Sequence, residues 1–94
     1  MLERWVRGSQ GGRMMNDWLD EVARALGVDP LATGDAEELL EIARDVAHGV
    51  ERKVTPLAAF LLGAAMQRRV DAGTSRPEAL AAAVADLRTH LPGA

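Results

Sequence analysis

The chain contains no cysteine and no tyrosine, and its aromatic inventory is Trp5, Trp18 and Phe60. Without thiols there is no disulfide framework, no thiolate zinc site and no thiol redox chemistry. With so few rings, a core must be built from Leu, Val, Ile, Met and abundant Ala, which favours closely packed helices over sheets. Serine is nearly absent too: Ser9 and Ser75 are the only two. A long apolar run is also missing. Leu57–Met66 is the longest, and it is about half the ~20 residues that a membrane-crossing helix needs. "MLERWVRGSQGGR" lacks the continuous apolar core of an export signal, so the expected location is the cytoplasm. Finally, there is no basic excess. The net charge is −3, and the first thirteen residues hold Arg4, Arg7 and Arg13 against Glu3, which leaves −5 on the rest. That acidity argues against nucleic-acid binding, where phosphates demand a basic face.

What remains is a 94-residue chain, 48% hydrophobic, of a size that forms one small domain. Residues 8–13, "GSQGGR", have no hydrophobic period and read as a flexible segment. The expected organisation is a flexible extension over residues 1–14, in which Trp5 and Val6 form a loose tail, followed by a single helical domain over 15–94. The adjacent Met14 and Met15 offer an alternative start, which would make the upstream residues an extension. "GSQGGRM" also has the look of a glycine-rich phosphate loop. Such a loop needs a preceding strand and a helix N-terminus, and seven residues can hardly supply them. Linker is the better reading.

No strand-like alternation occurs, and four helices can be traced. The first should begin at Asn16 or Asp17, carry Trp18, Val22, Ala25 and Leu26 on one face, and stop at Gly27. Asp35 and Glu38 resemble a capping box opening the second helix, whose core stripe is Leu39, Ile42, Ala43, Val46 and Val50. Thr55 should cap the third, with Pro56 at its first position, where a missing N–H costs nothing. That helix is apolar all round in its first half. It must therefore be enclosed by the other helices or be covered by a second chain. Gly73 ends it. Ser75 then caps a fourth helix with a Leu80, Val84, Leu87, Leu91 seam. The expected fold is all-α, a four-helix up-and-down bundle with short loops.

Several constellations invite chemistry. Glu38, Glu41, Asp45 and His48 recur at i, i+3, i+7 and i+10, an arc of roughly 80° opposite the core stripe. Carboxylates and an imidazole in a row could bind a divalent cation, with Glu41, Asp45 and His48 as ligands. One helix seldom completes such a site, so a solvated face is the plainer reading. Asp45 could also orient His48 for general-base work, but no nucleophile stands ready. Ser9 lies in the tail and Ser75 looks like a cap. No Asp-Ser-Leu attachment site opens the second helix, which removes a carrier-protein role. Neither a catalytic residue nor a cofactor is expected, and enzymatic use is the less favoured alternative. Ala59 and Gly63 leave a small-residue groove, so a homodimer through Ala59, Phe60 and Gly63 is expected.

The stretch "LLEIARDVAHGVERKVTPLAAFLLGAA" resembles a small actinobacterial helical domain of unknown function, found fused to or alongside molybdenum-cofactor guanylyltransferase, the enzyme that attaches GMP to molybdopterin. The similarity runs from about Met15 to Leu91 and is sharpest in "ARDVAHGVER" and "PLAAFLLG". Lys53 stands where the family pattern has Pro. The chain is too short to hold the transferase domain itself. The resemblance implies a pathway neighbourhood rather than a reaction: a non-catalytic accessory module with a protein partner, that transferase being the candidate. It makes Asp45, His48, Glu51 and Arg52 the polar positions expected to touch the partner.

Overall fold

A computed structural model describes residues 11–93, with side chains from Asn16 onward. The tail reading of Trp5 and Val6 lies outside the described residues. Among the described residues there are four α-helices: α1 (Gly11–Leu26), α2 (Asp35–Gly49), α3 (Thr55–Asp71) and α4 (Arg76–Arg88), with a 3-10 turn, Arg52–Val54, ahead of α3. No strand occurs among the described residues, and none of the helices is long and apolar enough to cross a membrane. The all-α reading holds. The chain divides into two compact units between Ala36 and Glu37.

In the first unit α1 begins at Gly11, upstream of the expected Asn16 or Asp17 cap. Gly11 and Gly12 stand in its first turn. The buried face also differs from the expected one. Ala23 is buried and Leu19 and Val22 are half-buried, whereas Trp18, Ala25 and Leu26 are exposed. Gly27 stops the helix as anticipated. It takes a left-handed φ of 71°, and the Val28 N–H donates to the Ala23 carbonyl at 2.9 Å, closing the helix end. At the entry to α2 the chain turns on Asp35. Its carboxylate accepts the Ala32 N–H at 2.8 Å while its own N–H donates to the Ala32 carbonyl at 3.0 Å. This is the reach-back half of a capping box, with the acid closing a turn onto a residue upstream of it.

The second unit holds the main core. Ile42 and Val46 of α2, Leu62 of α3, and Leu80, Ala83 and Val84 of α4 are buried together, with Leu39, Ala58, Ala65, Met66, Leu87 and Leu91 packed around them. Each large aliphatic side chain taken out of water contributes about 1.5–3 kcal/mol. Most of the expected α2 stripe and all of the expected fourth-helix seam are therefore in place. Val50 is the exception: it follows the last residue of α2 and is exposed. Gly73, at φ 107°, ends α3 with a Thr74 N–H to Arg69 carbonyl bond of 2.9 Å. Ser75 caps α4 by accepting the Glu78 N–H, and its hydroxyl donates to the Glu78 carboxylate at 3.1 Å. Arg69 of α3 ties to Asp86 of α4 at 2.8 Å.

Thr55 does not cap α3. It is the first helical residue, Val54 occupies the cap position without a side-chain bond, and the Thr55 hydroxyl is buried without a partner. The 3-10 turn carries the chain into the helix with helical dihedrals at Val54, which leaves Thr55 no extended backbone from which to cap.

Candidate functional site

Two surfaces of the second unit hold the residues singled out from the sequence. One is the polar side of α2 and the turn that follows. Glu41 and Asp45 lie one turn apart on α2, and both face a cation from α4, Arg88. Its guanidinium donates to the Asp45 carboxylate and lies 3.9 Å from a Glu41 oxygen. The Asp45 carboxylate is therefore already engaged by a protein cation, and Glu41 lies beside the same charge. Among the described residues no three His, Asp or Glu side chains gather closely enough to hold a metal ion. A ligand set of Glu41, Asp45 and His48 has no preformed geometry here. His48 sits in the last turn of α2 and is exposed. A cation at that end interacts favourably with the helix dipole. The carboxylate expected to orient it is engaged by Arg88 instead. Glu51 and Arg52 follow on the surface, with Glu51 3.8 Å from the Lys53 ammonium.

No local pattern in the sequence marks Arg88. It lies 43 residues from Asp45, and an arginine near a helix C-terminus already satisfies the dipole rule, so its neighbours signal nothing more. Through this partnership Asp45 acts structurally, pinning α2 to α4 and so fixing where His48 stands. The two side chains retain 41% and 36% of their exposure. Solvent screening therefore trims a charged hydrogen bond to about 1 kcal/mol. Asp45→Ala and Arg88→Ala should each lower unfolding free energy by roughly that amount. The double variant should lose little more than either alone, and the coupling should shrink in 1 M salt. Urea unfolding of the four proteins checks this; strictly additive losses would show that the pair is not coupled.

The second surface is α3. Enclosure by the rest of its unit is not what the structure holds: Leu62 is the buried residue of this helix. Leu57, Phe60 and Leu61 are 64%, 78% and 68% exposed, and Ala59, Gly63 and Ala64 are exposed as well. Leu57, Phe60, Leu61 and Ala64 stand at i, i+3, i+4 and i+7, so they form one continuous apolar strip. Gly63 flanks it, and a Cβ there would meet nothing within 4 Å. Scattered exposed leucines need no explanation, but a contiguous apolar strip does. Neither surface presents an assembled catalytic group. The α2 surface offers exposed charges on a fixed platform, and the α3 surface offers desolvation energy to whatever covers it.

No curated protein and no solved structure matches the chain. A family profile does, over residues 10–93, nearly the whole length. By that match, the chain belongs to the family described as a domain of unknown function, DUF6457.

Proposed function

We propose that this chain is a non-catalytic, cytoplasmic interaction module serving as an accessory to a molybdenum-cofactor guanylyltransferase in an actinobacterial cell. The observation that carries the interaction role is the apolar strip on α3, whose leucines and phenylalanine remain in water at a cost that only a docked surface relieves. The link to the transferase rests on the sequence resemblance in "ARDVAHGVER" and "PLAAFLLG". In this reading His48, Glu51 and Arg52 make the polar contacts, and Asp45 takes part through Arg88 by holding α2 in place.

The test is calorimetric titration of the purified chain into the guanylyltransferase of the same genome. His48→Ala combined with Arg52→Ala should weaken binding about tenfold, equivalent to ~1.4 kcal/mol. Both residues are exposed, so the melting temperature should not move. Absence of heat at about 100 μM of each protein at two temperatures some 25 °C apart would end the transferase assignment, because apolar burial changes the binding enthalpy with temperature. Undiminished affinity of the double variant would remove the polar residues from the contact.

A further inference from the structure

We infer that α3 has two alternative starts: the observed one at Thr55, and a second in which the 3-10 turn unwinds, Thr55 becomes extended and its hydroxyl caps the helix. The second start is the minor conformer of the free chain. This inference stands independently of the interaction role proposed above.

The Thr55 side chain is the first argument. In the observed start Thr55 has helical dihedrals, φ −55° and ψ −50°, and its hydroxyl is buried without a hydrogen-bond partner. A polar group taken from water without a partner raises the free energy of the state that holds it. The next residue is the second argument. Pro56 biases the residue before it toward extended backbone, with ψ of about 120–160°. One rotation of Thr55 to that ψ answers both. The chain already contains the geometry that results: Ser75 opens α4 at φ −64° and ψ 151° and accepts the N–H of Glu78, three residues on. With those dihedrals Thr55 accepts the Ala58 N–H, and Pro56 becomes the first helical residue, where its missing N–H is no loss.

The observed start keeps its majority through the Val54 N–H to Glu51 carbonyl bond of 3.2 Å, the Thr55 N–H to Arg52 carbonyl bond, and the packing of Val54 against the core. A side-chain cap is worth about fivefold in an equilibrium, so a single side chain can move the balance. The segment that unwinds carries Glu51 and Arg52, both exposed, whereas His48 stays on α2. The two starts therefore set different spacings between His48 and Arg52. A partner that holds Arg52 better in one start shifts the population toward it.

Native-state amide exchange of the purified chain, read by NMR at Val54 and Ala58, tests this. Val54 loses its bond to Glu51 in the second start, while the Ala58 N–H is held by the Thr55 hydroxyl. Thr55→Val has no hydroxyl to bury or to cap with, so its Val54 amide should be at least ~5-fold better protected than in the wild type. Thr55→Asn is a stronger cap and should cut Val54 protection at least ~5-fold, while Ala58 keeps its own within about twofold. Unchanged Val54 protection in Thr55→Val overturns the inference. So does joint loss at Val54 and Ala58 in a Thr55→Asn chain of unchanged melting temperature, which is melting of the first turn rather than a change of start. If Thr55→Asn lowers the melting temperature, Thr55→Val decides alone.

Discussion

Ile42→Ala is expected to destabilise the second unit by about 3 kcal/mol. Ile42 is 2% exposed and sits in the cluster that joins α2 to α3 and α4. Removing three of its carbons loses their transfer energy and leaves a cavity that its aliphatic neighbours refill only partly. A domain of this size has a total stability of roughly 5–14 kcal/mol. The loss should therefore lower the thermal midpoint by roughly 15 °C. Leu40→Ala, on the same helix but 56% exposed, is the control and should change stability by no more than about 0.5 kcal/mol. Circular dichroism melts of both variants decide the matter. Equal effects would mean that Ile42 is not a core residue.

The second large effect comes from adding atoms. Ala83 of α4 is buried in the same cluster at 3% exposure, beside Leu80, Val84 and Leu62. Ala83→Leu should cost about 2 kcal/mol, because extra methylenes in a filled interior force side chains off their rotamers or helices apart. Ala81, two residues earlier, is exposed, and Ala81→Leu should be close to neutral. Guanidinium unfolding measures both. A tolerated leucine at position 83 would reveal slack packing between α3 and α4.

Short-range and long-range chemistry explain why the fold is legible in the sequence while its surfaces are not. Helix starts and stops are written locally: Gly27 and Gly73 at left-handed dihedrals, Ser75 at a cap, Pro56 in a first turn. Each signal needs only its neighbours to act. The long aliphatics of α2 and α4 are spaced to one side and found the core. Those of α3 point everywhere, and periodicity cannot say which become covered. Leu62 is buried, while Leu57, Phe60 and Leu61 are left in water. In α1 the pattern points Ala25 inward, whereas Ala23 is the buried alanine. The Asp45 partnership is hidden for a different reason. An ion pair between residues 43 apart exists only once packing has brought two helices together, and no local spacing encodes it.

The uncapped start of α3 has a consequence for motion. Val54 offers no side-chain oxygen, the Thr55 hydroxyl bonds nothing, and Pro56 has no N–H to give. The Thr55 N–H donates to the Arg52 carbonyl of the preceding 3-10 turn, so the first amide of this helix is held by backbone alone, whereas α4 has the Ser75 side chain. Fraying is governed by the weakest local opening free energy rather than by global stability. The front turn of α3 therefore opens more often than that of α4, and Leu57 rides on it. One end of the apolar strip thus rests on a turn without a side-chain cap, while the other, at Ala64, is set on a continuous helix.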